Sequence, residues 1–264
     1  MLNILVCIKQ VPDTTIIKID PVTKTLIRDG VPSIVNPFDA YALEQAVRLK
    51  ESCGGTVTVV TMGLPQAKAA LKECLSKGAD KAYLMTDRAV GGSDTLATSY
   101  VLSCVYNHLG PFDVVFCGKQ AIDGDTGQVG PEMAEHLGIP QVTYAAEVSY
   151  ADGELKVRRE VDDGWDVIGV STPAVITIVK GEEEPRLATL GSVLRANRAV
   201  IEEIHCADME GMDVGRAGRD GSATKVVKTF TPDRTKQGVK LEGKTGEDAA
   251  KELVALLTDK SLIS

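Results

Sequence analysis

At 264 residues the chain has room for one large domain, or for a domain with a long appendage. Its 44% hydrophobic and 25% charged content suits a soluble globular protein with a substantial core. A net charge of −8 without any Lys/Arg-rich run argues against nucleic acid as a partner. Membrane insertion is not expected, because no apolar stretch approaches spanning length and no charged-then-apolar leader opens the sequence.

Asn3–Lys9 is a β-branched run without clean alternation, the pattern of a central strand. Val11-Pro12-Asp13 turns the chain, and Ile17–Leu26 with Gly30 reads as an extended excursion. Asn36-Pro37-Phe38-Asp39 then starts a helix, with Asn36 as N-cap and Pro37 at the first helical position. Ala42, Leu43, Ala46, Val47 and Leu49 give that helix an apolar face, and Gly54-Gly55 end it. Strands follow at Thr56–Met62, Lys81–Met85 and Phe112–Cys117. Helices alternate with them at Gln66–Lys77, Asp94–His108 and Gly130–Leu137. This alternation predicts an α/β fold with a doubly wound, mostly parallel sheet and right-handed crossovers.

From Gln141 the pattern changes. Val142–Tyr150 and Glu154–Glu160, joined around Ala151-Asp152-Gly153, predict an added β-hairpin, and Ala174–Val179 a further strand. Leu190–Arg198 is compatible with a helix. Residues 205–244 hold few large apolar side chains and cannot form an independent core. Thr245–Thr258 is amphipathic, with Ala249, Leu253, Leu256 and Leu257 on one side. The expected division is therefore a nucleotide-binding α/β domain over 1–204 and a C-terminal arm over 205–264. The arm makes most sense packed on another polypeptide, although a self-packed tail fits the same pattern.

The stretch Gly118–Pro131 is the centre of the functional reading. It leaves a strand and enters a helix, so it lies at the carboxyl end of the sheet, where open α/β folds bind ligands. Gly124, Gly127 and Gly130 permit close backbone approach, Thr126 and Gln128 offer side-chain donors, and helix-start amides complete a phosphate-binding nest. An ordinary glycine-rich connection fits the glycine count equally well. Neither Gly-x-Gly-x-x-Gly nor Gly-x-x-x-x-Gly-Lys-Ser/Thr is present. Asp87–Thr98 offers a second such turn: Gly91-Gly92, Ser93 or Asp94 as N-cap, and the hydroxyls of Thr95 and Thr98. A plain capping motif accounts for it as well. The six widely spaced cysteines form no Cys-x-x-Cys and read as reduced, buried residues of a cytoplasmic protein without a metal site. His108, His136 and His205 are scattered and suggest no catalytic role.

With these pieces placed, the chain resembles the β subunit of electron transfer flavoproteins over nearly its whole length. Four segments carry the resemblance: Val6–Asp13, Asn36–Asp39, Gly118–Pro131, and Val157–Thr177 continuing to Glu184–Leu190. The last is close to the family signature, with Arg159, Asp162-Asp163-Gly164 and Pro173-Ala174-Val175-Ile176-Thr177. It departs at Asp166, where the signature has Glu or Gln. The resemblance implies an adenine-nucleotide-binding Rossmann-like fold and a heterodimer with an FAD-carrying α subunit. It implies a second nucleotide on this chain, AMP in most respiratory members and FAD in electron-bifurcating ones. Adenine and ribose would lie near Cys7, Met62 and Asn36, Pro37, Phe38 and Asp39. Phosphates would lie against Ala121, Ile122, Asp123, Gly124, Asp125, Thr126, Gly127, Gln128 and Val129.

AMP-binding members carry a bulkier loop where this chain has Thr126-Gly127, and they lack the Asp87–Thr98 run. The resemblance therefore favours FAD, with Asp94, Thr95 and Thr98 beside it, Arg88 or Asp94 as contacts to flavin or nicotinamide, and NADH as hydride donor. It further implies ferredoxin or flavodoxin as low-potential acceptor. An FAD-containing dehydrogenase, such as an acyl-CoA or 2-hydroxy acid dehydrogenase, would dock on the recognition loop over 184–195 through Glu184, Pro185, Arg186 and Leu190. An apolar residue such as Leu190 also fits a buried loop position. Alternatives are an AMP-bound structural β subunit and, in another class, an ATP-binding stress-type nucleotide sensor.

Overall fold

The computed structural model describes residues 1–13, 32–227, 238, 240 and 245–263. The excursion expected at Ile17–Leu26 lies outside the described residues. In chain order the elements are β1 (Leu2–Cys7), β2 (Gln10–Pro12), β3 (Ser33–Val35), α1 (Pro37–Cys53), β4 (Gly55–Met62), α2 (Lys68–Ser76), β5 (Lys81–Met85), α3 (Thr95–Leu109) and β6 (Val114–Gly118). There follow α4 (Val129–Leu137), β7 (Gln141–Ala151), β8 (Glu154–Val161), β9 (Gly164–Ser171), β10 (Ala174–Ile178), α5 (Leu190–Arg198), β11 (Glu202–Ile204), α6 (Gly218–Gly221) and α7 (Gly246–Asp259).

A nine-stranded sheet runs in the order β11-β5-β4-β1-β6-β10-β7-β8-β9, parallel from β11 to β7 and antiparallel at β8 and β9. The mixed α/β architecture with a mostly parallel sheet is thus the expected one. Alternation along β1 explains the two layers. Ile4 and Val6 pack with Leu43, Val47 and Leu71 of α1 and α2, whereas Leu5 and Cys7 pack with Val101, Met133 and Ala134 of α3 and α4. Both faces of β1 are covered, so its sequence reads as a continuous apolar run.

The hairpin β7–β8 forms where expected, and β9 extends it into an antiparallel ribbon before the chain returns as β10 between β6 and β7. Strand β9 escapes the sequence reading because Trp165, Asp166 and Val167 are all exposed, which erases the period-two signal. The three-residue β11 is too short to register. The compact unit runs from Met1 to Val227, past the division expected at 204, because Cys206, Met209 and Ala217 are buried in the core on the α3–α4 side. A second unit spans Lys228–Ser264. Within it, α7 begins on Thr245, whose side chain accepts from the Asp248 amide, and it buries none of its residues.

Candidate functional site

Strand β1 lies between β4 and β6, with Cys7 in register with both Val60 and Cys117. The chain leaves β1 toward β4 and β5 and later returns to β6 on the opposite side. The carboxyl ends of β1 and β6 therefore flank a topological switch point, where two connecting loops diverge and leave a crevice.

The start of α1 organises that crevice. Asn36 is fully buried and occupies the N-cap position expected from sequence, but its side chain makes no capping bond. Instead its Nδ2 donates to Gln120 O at 2.8 Å, and its Oδ1 accepts the Ile122 amide at 3.1 Å. It is an anchor for the loop after β6. Three residues on, Asp39 is 5% exposed; its Oδ2 accepts the Lys9 amide at 2.6 Å and its Oδ1 the Gly118 amide at 3.1 Å. Burial pushes this carboxyl up from its ordinary 3.8 to about 7, against the opposing pull of Asn36 and the two amides. A Cβ at position 118 would sit 2.3 Å from Asp39 Oδ1, so only glycine permits this approach.

The loop itself folds on Ala121, whose carbonyl accepts the amides of Gly124 at 3.2 Å and Asp125 at 2.8 Å. Asp125 and Gly127 take φ of 54° and 67°. Its two carboxylates are engaged: Lys9 Nζ pairs with Asp123 at 2.7 Å, and Gln120 Nε2 donates to Asp125 at 2.9 Å. Among the described residues, no protein group accepts the amides of Thr126, Gly127, Gln128, Val129 or Gly130. These amides lead into the positive end of α4. The donor set fits a phosphate or diphosphate.

Helix α3 starts beside α4, where Thr95 Oγ1 lies 3.0 Å from Gln128 Oε1 and 3.2 Å from Glu132 Oε1. Thr98 follows one turn later, half-buried. Asp94 is the N-cap and accepts the Ala97 amide at 3.0 Å, the Thr224 amide at 2.8 Å and the Thr224 hydroxyl at 3.0 Å. Burial pushes the Asp94 carboxyl up, but these donors outweigh it and hold it below its ordinary range. The turn read as anion-accommodating is closed over by downstream chain: Ser93 Oγ accepts the Gly218 amide and Ser222 Oγ accepts that of Asp94. Nothing local announces these partners, which lie more than 120 residues away. Met62 ends β4 half-buried, Cys7 is buried at the end of β1, and Pro37 and Phe38 open α1 at the same edge.

The segment 184–190 gathers elsewhere, along α1. Glu184 accepts the Tyr41 hydroxyl at 2.9 Å and pairs with Lys180 at 3.4 Å. Arg186 forks onto Glu44 at 2.9 and 3.2 Å and onto Glu51 at 2.6 and 2.9 Å. Burial raises the Glu44 carboxyl, yet Arg186 and Arg48 overcome it and hold the group down to about 2. Glu184, itself exposed, and Arg186 thus contact side chains of this chain, which fixes the segment around half-buried Pro185. Thr189 caps α5 by accepting the Ser192 amide at 3.1 Å, and Leu190 begins that helix 77% exposed. Such exposure removes the alternative of a buried loop residue.

The chain matches the family model described as electron transfer flavoprotein domain over residues 23–233. It is 48% identical over 263 residues to the electron transfer flavoprotein subunit beta of Thermoanaerobacterium thermosaccharolyticum, covering 99% of this chain and 100% of the relative. It is 44% identical over 263 residues to the caffeyl-CoA reductase-Etf complex subunit CarD of Acetobacterium woodii, again covering 99% and 100%. Protein FixA of Azotobacter vinelandii is 48% identical over 234 residues, 86% of this chain and 83% of that protein. With the fold and the switch-point loop already in place, these matches over most of its length show that the chain belongs to the electron transfer flavoprotein family, as a β subunit.

Proposed function

We propose that this chain is the β subunit of a heterodimeric, electron-bifurcating electron transfer flavoprotein and holds FAD at the β1–β6 switch point. The observation that carries the reading is the run of amides from Thr126 to Gly130 that find no acceptor among the described residues, around the small pair Thr126-Gly127, which leaves room for a diphosphate. Likeness to a subunit named for a caffeyl-CoA reductase-Etf complex supports it. FAD bound there supplies hydride acceptance from NADH and single-electron transfer toward a low-potential acceptor and toward the α-subunit FAD.

The chain's own residues bind and orient. Asn36 and Asp39 fix the loop to β1, the amides of Thr126–Gly130 take the phosphates, and on the α3 side Thr98 adds a hydroxyl while Thr95 ties α3 to Gln128 and Glu132 at the start of α4. Adenine and ribose lie toward Cys7, Met62 and Phe38. The α subunit is the obligate partner, and α7 packs against it because its apolar Leu253 and Val254 are left 51% and 54% exposed. Leu190 docks an FAD-containing dehydrogenase, and ferredoxin or flavodoxin takes the low-potential electron. No helix among the described residues is long and apolar enough to cross a membrane, and we place the complex in the cytoplasm. Anaerobic titration of the purified heterodimer with NADH tests the reading: the flavin absorbance bleaches, whereas no bleaching at excess NADH rules it out.

A further inference from the structure

One face of α1 carries the segment that precedes α5. Tyr41, Glu44, Arg48 and Glu51 recur at three- and four-residue steps, so their side chains project from the same side of the helix. Residues 183–186 lie along them: Arg48 pairs with Glu183 at 2.6 Å, the Tyr41 hydroxyl donates to Glu184 at 2.9 Å, and Arg186 forks onto Glu44 and Glu51. These ties are unequal. Glu183 and Glu184 are exposed, where a single ion pair or hydrogen bond contributes little. Glu44 is buried, and Arg186 meets it through its backbone amide at 3.0 Å, Nε at 2.9 Å and Nη2 at 3.2 Å. A planar fork on a buried carboxylate, with a main-chain bond added, fixes both the side chain and the backbone of residue 186. Downstream the chain is loosely held. Leu187 and Leu190 are exposed, and among the described residues the next hydrogen bond to the rest of the domain comes at Asn197, whose carbonyl accepts Lys72 Nζ at 2.9 Å.

We infer that Arg186 is a positioning residue for partner docking: it sets where the chain leaves α1 and thereby aims Leu190. Sequence places Arg186 on the docking surface itself, whereas the geometry turns its guanidinium inward onto α1. Without the fork, the span from Arg186 to Leu190 has to be ordered at the moment of docking, and that cost appears in affinity. The role rests on the reading above that Leu190 docks an FAD-containing dehydrogenase.

The test uses the purified heterodimer and, as probe, an acyl-CoA dehydrogenase that the wild type reduces. KM for the heterodimer as electron donor is compared among wild type, Arg186→Met, Arg186→Lys, Leu190→Ala and the double variant Arg186→Met with Leu190→Ala. Methionine keeps an apolar stem and lysine keeps the charge, but neither can fork. Both Arg186 variants raise KM about 10-fold at unchanged kcat. Because Arg186 acts through Leu190, the double variant is no worse than Leu190→Ala alone. An unchanged KM in Arg186→Met, while Leu190→Ala is impaired, overturns the positioning role alone. Additive losses in the double variant do the same, as does a wild-type KM in Arg186→Lys, which makes charge rather than aim the contribution. Where Arg186→Met does not yield a folded heterodimer, Glu51→Gln replaces it: Glu51 is exposed, and losing its half of the fork raises KM about 3-fold. An unchanged KM there overturns the inference. Leu190→Ala with an unchanged KM overturns the docking reading and this role together.

Discussion

The carboxylate of Asp39, on the first turn of α1, accepts the amide of Gly118, the last residue of β6, at 3.1 Å. Its other oxygen takes the amide of Lys9 at 2.6 Å, so one buried group spans the exits of two adjacent parallel strands. The crevice that opens above them is shaped from below by this clasp, whose carboxyl is raised to about 7 by burial.

Because Asp39 rises from 3.8 to about 7 in the fold, its stabilising contribution is fully present below 3.8 and lost as pH climbs through 7. The loss amounts to at most about 1.4 kcal/mol per pH unit inside that window. Asp39→Asn removes the titration but also mispairs an amide with one of the two donors, so it destabilises throughout. The difference between wild type and variant should therefore shrink as pH rises from 5 to 7 and level off above it. Thermal melts of the heterodimer across that range check this. A pH-independent difference contradicts the raised carboxyl.

Gly127 sits at φ 67°, with Lys119 O at 3.4 Å from where a Cβ would lie. Asparagine tolerates that backbone better than most residues, so Gly127→Asn keeps the fold and crowds the phosphates. FAD content of the β site should drop while the α-subunit flavin stays. Flavin disappearing from the α subunit instead, with β occupancy intact, means that this loop is not the site.

Much of this was legible in sequence, for physical reasons. Alternating strand and helix signals up to residue 140 are local, and burial on both faces makes the central strands conspicuous. The loop after β6 announced itself through its glycines and its place before α4. What escaped depends on contacts remote in sequence. Asn36 looked like a helix cap, but its side chain reaches Gln120 and Ile122, more than 80 residues away. In sequence Asp94 stands beside an open anion-accommodating turn, yet Ser222 and Thr224 close it from more than 120 residues downstream. Periodicity does not encode such pairs.

Arg186 is the fork that holds the segment before α5 against Glu44 and Glu51. Arg186→Ala leaves the buried Glu44 carboxylate with Arg48 alone and should cost about 2 kcal/mol at neutral pH. Since Glu44 is held down to about 2, its contribution is present above 4.5 and lost as pH falls through 2. The penalty should accordingly shrink in acid. Equal destabilisation at pH 7 and pH 3 would show that packing, rather than charge, is what the substitution removes.

Leu190 is 77% exposed and Leu187 89%, so truncating Leu190 should leave the melting temperature alone. An apolar anchor inserted in a partner pocket contributes about 1–3 kcal/mol, which places the loss of dehydrogenase affinity for Leu190→Ala at roughly 5- to 150-fold. Reduction by NADH should be untouched. Preserved affinity with full stability removes Leu190 from the docking surface.

The central claim is that the β1–β6 crevice holds FAD, and counting flavin addresses it most directly. FAD and AMP released from the purified, denatured heterodimer are quantified against protein. The account predicts two FAD per heterodimer, about one of them lost in Gly127→Asn, and no AMP. One FAD accompanied by one AMP contradicts it.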